Sequence, residues 1–294
     1  MIEGQYRLGD ALWGEGTRLV IEDADLELPD LRNQDALNEL GHGAVPGRDR
    51  LGTSLWVWEL ATDADDFENG PEHAGALFDD LAAAWRQGVH APPGQLFTLT
   101  YGAFGRTRQV YGRPDRITPP KPNYLGLVGQ ARGAIAFRVL DPLVYTEQMS
   151  TLELSQVTVS DGGAAWPITW PLEFSRSTTT RQGIVHVDGV APVPFRIAVR
   201  GPNAGVASQI SLTGPGWAID CDVPVPFDKT LLIDTREMTA VLSGGGGSAA
   251  AGLSRRSRLS ARLAPGNSEI TFTCADPTMT ALATVSWQAG WYSV

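Results

Sequence analysis

The side chains that could do chemistry are two pairs of carboxylates in the second half of the chain. Asp220 and Asp222 are two residues apart, and Asp234 and Glu237 are three apart. Glycoside hydrolysis uses such pairs, one carboxyl as general acid and the other as base or nucleophile. Residues two apart on a strand point the same way, however, so the first pair favours solvent or a turn over a cleft. Four histidines are scattered along the chain with no partner triad: His42, His73, His90 and His186. Catalysis is therefore a weak alternative for this chain.

Metal and phosphate sites are not predicted either. The two cysteines, Cys221 and Cys274, do not form a C-x-x-C motif and lie in apolar strand-like runs. We interpret them as small buried side chains of a protein from a reducing compartment, with a single bridge between them as the alternative. The glycine run within 243–252 lacks the Gly-Lys-Ser/Thr ending of a phosphate loop, so we expect a flexible loop between strands.

Four arginines lie close together, and they allow two interpretations. Nucleic-acid binding is the first, but residues 1–150 carry 13 basic and 22 acidic side chains, whereas residues 151–294 carry 10 and 11. An acidic half disfavours phosphate binding, which depends on Lys and Arg. We therefore expect the guanidinium groups to pair with carboxylates of the same chain or of a neighbouring copy. The four are Arg106, Arg108, Arg113 and Arg116.

Sugar binding is the third functional class to consider. Exposed aromatic rings can stack on sugar faces, although aromatics in an alternating sequence are more often part of a core. A carbohydrate-binding module stays open as an alternative. The candidate rings are Trp217, Trp287, Trp291 and Tyr292.

One amphipathic helix is predicted from Pro71 to just before Gly88. Proline suits the first turn of a helix because an N–H group would have no intrahelical partner there. An apolar stripe with helical spacing follows and predicts packing on a sheet. The stripe consists of Ala74, Leu77, Phe78, Leu81 and Trp85.

The remainder of residues 1–150 predicts mainly β structure. Segment 54–60 is apolar on both faces, with Trp56 and Trp58 on one of them, so this strand should be covered on both sides. Further strands are predicted over 19–21, 96–101, 108–113 and 133–140, the last of them stopped by Asp141-Pro142. With the helix, they predict an N-terminal domain that is a β-sandwich or an α+β unit with one packed helix.

Residues 151–294 predict a second domain, an antiparallel β-sandwich. Ser, Thr and Gly replace the apolar alternation after residue 146, which places the boundary near residue 150. About nine short strands follow, separated by Gly and Pro turns. The clearest of them are 183–187, 195–200, 217–220, 229–235, 238–242, 258–263, 269–274 and 281–287, after an extended segment at 166–174. We expect the turns from Gly201 to Gly216 and the loop after Leu242 to form a contact surface.

The sequence predicts neither export by a signal peptide nor a membrane span. Glu3 lies where a signal peptide carries positive charge, and no apolar run approaches the about 18 residues that a span needs.

An ordered set of segments in both halves resembles the distal tail proteins of siphophages, as they occur among the minor tail proteins of actinobacterial phages. The second-half segments are Trp166-Pro-Ile-Thr-Trp-Pro171, Gly183-Ile-Val-His-Val187, 192–202, Lys229-Thr-Leu-Leu-Ile-Asp-Thr235, Leu263-Ala-Pro-Gly-Asn267 and Ala283-Thr-Val-Ser-Trp287. The first-half segments are Leu28-Pro-Asp-Leu-Arg32, Arg50-Leu-Gly-Thr-Ser54, the helix at 71–87, Arg108-Gln-Val-Tyr-Gly-Arg113 and Asp141-Pro-Leu-Val-Tyr145. The four-glycine loop looks like an insertion relative to the family's pattern.

This resemblance implies a structural protein of the virion, made and assembled in the host cytoplasm and placed at the tip of a long flexible tail. Its first domain, residues 1–150, would form a homohexameric ring between the tail-tube protein and the tail-tip hub protein of the baseplate. Its second domain, residues 151–294, would be a galectin-like or jelly-roll sandwich that anchors side or receptor-binding proteins, with the tape-measure protein as a further partner. The family has interfaces rather than an active site, so no catalytic, cofactor or metal residue is assigned.

DNA would pass through the channel of such a ring without specific binding. Carboxylates along the channel would repel the phosphates and leave no cationic trap. We therefore hypothesise that the acidic segments 22–39 or 63–68 face the lumen.

Overall fold

The computed structural model describes residues 1–38, 41–62, 70–121, 129–156, 181–245 and 247–292. They form two compact units, the first comprising Met1–Glu147 with Trp291–Val294 and the second Gln148–Gly290. The mainly β fold class with one packed helix is confirmed for the part of the chain that the structure describes. The predicted extended segment 166–174 and the acidic segment 63–68 lie outside it. No helix within the described ranges is long and apolar enough to cross a membrane.

Seven strands of the first unit form one curled antiparallel sheet. They are β1 (Gln5–Leu8), β2 (Ala11–Gly14), β3 (Leu19–Leu26), β8 (Ser54–Thr62), β9 (Phe97–Ala103), β10 (Arg106–Thr118) and β11 (Arg132–Ser155). Their order in the sheet is β2-β1-β9-β10-β11-β8-β3. β2 and β3, at the two ends of this order, lie close together, so the sheet wraps around a single core. This arrangement corresponds to the α+β alternative for the first domain.

The core of the first unit is built from aromatic side chains. Tyr6 lies opposite Trp13 on β2 and opposite Tyr101 on β9, so the three rings form a row on one face of the sheet. Trp58 on β8 packs edge-on against Tyr6 and Trp13, with ring centroids 5.2 and 5.6 Å apart. Rings at these separations gain from edge-to-face contact as well as from burial.

Helix α1 runs from Gly70 to Arg86 and confirms the predicted helix. Its stripe packs on the sheet, where Trp85 lies edge-on to Trp13 and its indole N–H donates to the carbonyl oxygen of Ala136 over 3.0 Å. Phe78 lies so close to Gly133 that a Cβ there would approach its ring to 2.6 Å. The interpretation of the stripe as a packing device is therefore correct.

β11 contradicts the prediction that Asp141-Pro142 stops a strand. The strand is 24 residues long and continues past Pro142 to Ser155. A proline is tolerated in a strand where the ladder is irregular and its missing N–H is not needed. Such an irregularity lies beside Tyr111, the β10 residue opposite Asp141. The Asp141 carboxylate stabilises the distortion by accepting the Tyr145 hydroxyl over 2.7 Å.

The second unit is a sandwich of two antiparallel sheets. Its strands are β12 (Gln182–Val187), β13 (Phe195–Arg200), β14 (Val206–Gly214), β15 (Trp217–Cys221), β16 (Val225–Pro226), β17 (Thr230–Asp234), β18 (Thr239–Leu242), β19 (Gly266–Ala275) and β20 (Leu282–Trp291). One sheet has the order β18-β17-β13-β20, and the other has the order β12-β19-β14-β15, with β16 on β14. Alternate residues of each sheet are buried, as in Ile197 on β13 and Leu212 on β14. The predicted sandwich and most of its strands are thus present.

Two predictions for the second unit are wrong. Residues 206–214, expected to lie in turns, form β14 between β15 and β19, and the expectation of a contact surface there stays a prediction. Residues 258–263, expected to be a strand, form turns with one isolated bridge from Leu263 to Val193. β14 was missed because its polar residues resemble turn composition, whereas its strand character depends on the partners at both sides.

Residues 247–258, which overlap the glycine run that we expected to form a flexible loop, pair with two strand edges, and we call them the strap. The strap first covers the edge of β18, where the Ala249 amide donates to the Ala240 carbonyl over 2.8 Å. It then covers the edge of β15, where the amide of Ser254 donates to the Asp220 carbonyl over 2.9 Å. Unpaired strand edges invite pairing with other chains, so the strap removes two such edges from the surface.

Asp276 organises the turn between β19 and β20 through four hydrogen bonds. Its carboxylate accepts the amide and hydroxyl of Thr278, both over 2.8 Å, and the amides of Thr280 and Ala281 over 2.7 and 2.9 Å. Burial raises the pKa of Asp276, but these hydrogen bonds together outweigh it and lower the pKa below its usual value. The carboxylate form is therefore the one that stabilises the turn.

Replacing Asp276 with alanine is expected to lower the free energy of unfolding of the second unit by about 1–3 kcal/mol at neutral pH. Because the folded pKa is depressed, the Asp276 contribution is complete above the unfolded pKa and is lost as the pH falls through the folded value. The difference between wild type and Asp276→Ala should therefore shrink in acid. Urea unfolding at several pH values measures it, with Asp228→Ala, at an exposed position, as control. A pH-independent difference would contradict this account.

Candidate assembly surface

A long hairpin leaves the first unit between β3 and β8, and we call residues 27–53 the arm. Its short strands are β4 (Leu31–Arg32) paired with β7 (Arg50–Leu51), and β5 (Ala36–Leu37) paired with β6 (Ala44–Val45). The root of the arm is held to the sheet, because the indole N–H of Trp56 donates to the carbonyl oxygen of Glu27 over 3.0 Å. None of the four strands exceeds two residues, which is too short to give a periodic signal in the sequence.

The arm carries large apolar side chains that its own unit does not bury. Four of them are between 58% and 85% exposed: Leu28, Leu31, Leu37 and Val45. Leu37 and Val45 belong to successive pairs of β5 and β6, so they lie on opposite faces of the hairpin, and both faces are open to contact with another molecule. The arm is therefore the first part of the candidate assembly surface.

The second part is the tip of the β9–β10 hairpin, residues Phe104 and Gly105. Both have positive φ, 53° and 69°, which is the backbone of a two-residue type I′ turn. Glycine adopts this conformation freely, but a bulky L-residue there costs about 1–2 kcal/mol. The Phe104 side chain is nevertheless 77% exposed, so packing within its own unit does not explain it.

Glu3 holds this tip. One carboxylate oxygen accepts the amide of Phe104 over 2.7 Å, and the other accepts the amide of Gly105 over 3.0 Å. The Gly105 and Phe104 amides lower the pKa of Glu3 accordingly. The carboxylate form of Glu3 therefore stabilises this turn.

The arginine cluster does not pair with carboxylates of its own chain within the described residues. Arg113 donates to the carbonyl oxygen of Gln95 over 3.2 Å. Arg108 is buried, its guanidinium carbon lies 4.7 Å from the centre of the Trp291 ring, and its Nε and Nη1 atoms have no hydrogen-bond partner. Arg106 and Arg116 are exposed. The alternative of pairing with a neighbouring copy stays a prediction.

One carboxylate of each pair considered for catalysis, Asp220 and Asp234, is engaged in local structure. Asp220 accepts the hydroxyl of Ser211 over 2.6 Å. Asp234 forms an ion pair with Arg196 and accepts the backbone amide of Arg236 over 2.7 Å. Both carboxylates therefore stabilise strands and turns, and no group of three His, Cys, Asp or Glu residues in the described ranges could hold a metal ion.

The two cysteines are free. Cys221 is buried, as predicted, whereas Cys274 is only partly buried. Burial raises the pKa of both thiols, that of Cys274 to about 11. The alternative of a single bridge between them is wrong.

The aromatic candidates for sugar stacking are mostly unavailable. Trp217 and Trp287 are buried in the second unit, and the face of Trp291 lies against Arg108, which leaves Tyr292 as the one exposed ring of the four. A groove of about 430 Å³ does lie on the sheet face formed by β13, β17, β18 and β20. Its lining is aliphatic and polar, for example Leu232 and Val241 beside Asp234, without an aromatic ring on which a sugar could stack.

The comparisons with solved structures identify the fold as that of phage hub and baseplate proteins. The crystal structure of the Dit protein of phage SPP1, from the hub adsorption apparatus of phages that infect Gram-positive bacteria, has a TM-score of 0.56 at 12% identity over 93% of each chain. A chain of the phage p2 baseplate in its activated conformation with Ca has a TM-score of 0.54 at 12% identity over 98% of each chain. The same baseplate with Sr gives 0.53 at 12% identity, over 96% of this chain and 97% of that one.

No family model and no curated protein matches the sequence. The likeness is therefore one of fold, and it extends over nearly the whole chain. The resemblance to distal tail proteins that the sequence indicated is confirmed at this level.

Proposed function

We propose that this chain is a structural protein of a phage tail tip, and that six copies form a ring joining the last tail-tube ring to the tail-tip hub. The observation that carries the proposal is the arm, whose exposed leucines require a second molecule to cover them. A cyclic assembly gives each arm the same neighbouring copy and leaves none unpaired, because head-to-tail contacts close in a ring. The likeness to SPP1 Dit and the phage p2 baseplate supports the same role.

The mass of the purified full-length chain in solution tests this proposal. We expect a species of six chain masses, alone or after addition of the tail-tube protein, and a six-fold ring in electron micrographs. A chain that stays monomeric at every concentration, with and without the tube protein, would overturn the proposal.

The acidic surface of the first unit fits a channel for DNA. Asp23 and Asp25 on β3 are exposed, and none of the side chains in the described part of segment 22–39 is buried. Facing a lumen, these carboxylates would repel the phosphates of passing DNA. A ring structure with a neutral or arginine-lined bore would contradict this part of the proposal.

The second unit would anchor side or receptor-binding proteins. Its groove offers an aliphatic floor with a charged rim, a combination typical of protein interfaces. The strap covers the edges of β15 and β18, so a partner would dock on the sheet face rather than add a strand there. An assembled tail in which side proteins touch only the first unit would contradict this assignment.

A further inference from the structure

Arg108 on β10 carries a positive charge into the interior of the first unit. Only 8% of its surface is exposed, and its side chain lies on the same face of the sheet as the core residues Leu99, Tyr101 and Val110. A guanidinium group does not lose its proton in a protein, so the charge persists on burial. Moving an ion from water into a protein interior is costly unless a charge of opposite sign accompanies it.

The part of the chain that the structure describes supplies no hydrogen-bond acceptor for this group. Nε and Nη1 of Arg108 have no partner, and neither has the buried hydroxyl of Tyr101, which lies opposite Arg108 on β9. Burial raises the pKa of Tyr101 and the Arg108 charge opposes that shift, so the two groups are close enough to interact. All three atoms can donate a hydrogen bond, and together they form a group of donors without an acceptor.

The carboxylates nearest in the fold have other partners. Glu3 binds the amides of the β9–β10 tip, Asp141 accepts the Tyr145 hydroxyl, and Glu147 forms an ion pair over 3.5 Å with the Arg7 guanidinium.

An aromatic ring faces the Arg108 guanidinium instead, since the centre of the Trp291 ring is 4.7 Å from its central carbon. A cation–π contact offsets part of the cost of burial. A ring face accepts no hydrogen bond from N–H groups that point outward in the guanidinium plane, so these donors still require an anion.

Trp291 belongs to the part of the first unit that is easiest to displace. It is the last residue of β20 and only partly buried, and the next residue, Tyr292, is exposed. The ends of strands open at a lower cost in free energy than their interiors. A partner that binds beside Trp291 can therefore reach the guanidinium by displacing one ring.

The donors define the ligand as a carboxylate. A guanidinium group donates two parallel N–H groups to the two oxygens of one carboxylate, and the Tyr101 hydroxyl adds a third donor. A DNA phosphate carries the same charge, but the excess of acidic side chains in residues 1–150 disfavours its approach. An aspartate or glutamate side chain of another protein subunit is the ligand that fits.

We propose that Arg108 and Tyr101 form a receptor for an aspartate or glutamate side chain of another tail subunit, and that Trp291 covers this receptor in the single chain. The inference rests on the proposed tail-tip assembly and names one contact within it. The carboxylate belongs either to a second copy of this chain or to the tail-tube or hub protein, and its chemistry is the same in each case.

The substitution Arg108→Met separates this role from a structural one. Methionine removes the buried charge, so the thermal midpoint of the monomeric chain should stay the same or rise. Binding should nevertheless weaken about 30-fold or more, because the carboxylate of the partner is left unpaired. Mass photometry on dilution measures self-association, and titration calorimetry measures binding to the tube and hub proteins. Arg116→Met, at an exposed position of the same strand, is the matched control and should change neither quantity.

The substitution Arg108→Lys keeps the charge and identifies the source of the carboxylate. A carbodiimide joins the lysine amine to a carboxylate in contact with it, and mass spectrometry of mixed isotope-labelled and unlabelled chains locates the product. We expect a crosslink to an aspartate or glutamate of a second copy or of another tail protein.

Four outcomes would overturn this inference and leave the proposed function intact. They are a crosslink within one chain, no crosslink in an assembly that forms, full binding by Arg108→Met, and a lowered midpoint of its monomer. A wild-type chain that binds neither itself nor the tube and hub proteins would overturn the proposed function and the inference together.

Discussion

Replacing Leu31, Leu37 and Val45 together with serine is expected to turn the ring into folded monomers. All three side chains are mostly exposed in the single chain, so they contribute little to its folding. Across an interface, burial of each contributes about 1.5–3 kcal/mol. Losing three such contributions corresponds to a weakening of association of about 1,000-fold or more.

The measurement compares subunit mass and thermal midpoint in the same samples. The triple variant should elute and sediment as a monomer with an unchanged midpoint. A matched control replaces three exposed apolar residues of the second unit, Ile184, Val190 and Leu232, with serine and should stay hexameric. Hexamers of the arm variant would show that the arm is not the interface, and a lowered midpoint would show that it packs within its own chain.

Trp58→Ala has the largest expected effect on folding. The indole is completely buried on β8 and contacts the rings of Tyr6, Trp13 and Trp56. Truncation removes its burial and leaves a cavity that three rigid rings and a curled sheet cannot fill. We expect the free energy of unfolding of the first unit to fall by about 3–5 kcal/mol.

Hydrogen exchange followed along the chain tests this prediction, because it separates the two units. Amides of β9 and β10 should lose protection in Trp58→Ala, whereas those of β13 and β17 should not. Trp58→Phe keeps an aromatic ring and should have a smaller effect, and Tyr292→Ala, at an exposed position, should have almost none. Equal loss of protection in both units would mean that they unfold as one body.

Local patterns in the sequence predicted the elements that depend on near neighbours along the chain. The stripe through Leu81 and Trp85 predicted α1, because helical spacing places those residues on one face whatever the rest of the chain does. The alternation of apolar and polar residues in 195–200 predicted β13 in the same way, because residues two apart lie on one face of a strand. The ordered segments also indicated the distal tail fold, since they preserve turns and strand entries over both halves.

Elements that depend on distant partners were predicted less well. Pro142 was expected to end a strand, but the irregular pairing of Tyr111 with Asp141 allows β11 to continue. The glycine-rich loop was expected to be flexible, but residues 247–258 find the free edges of β15 and β18. In both places the deciding hydrogen-bond partners lie more than ten residues away or in another strand.

For the candidate assembly surface, too, the sequence predicted the local features and missed those that depend on distant contacts. The sequence indicated a protein of interfaces, and it predicted strands over 96–101 and 108–113, on either side of Phe104. It did not indicate the arm as a surface, since its paired strands are too short to give a periodic signal. A phenylalanine-glycine pair between two alternating segments is the signal that could have pointed to the tip.

The sequence by itself determined the helix and most of the strands of the described residues, and its motifs favoured interfaces over an active site. Only the tertiary structure decided which apolar side chains serve the core and which face outward. Leu37 on β5 and Leu99 on β9 are both leucines in strands, yet the first is 85% exposed and the second is completely buried. The difference arises because burial depends on the register and neighbours of each strand, and these are set by contacts between segments far apart in the chain.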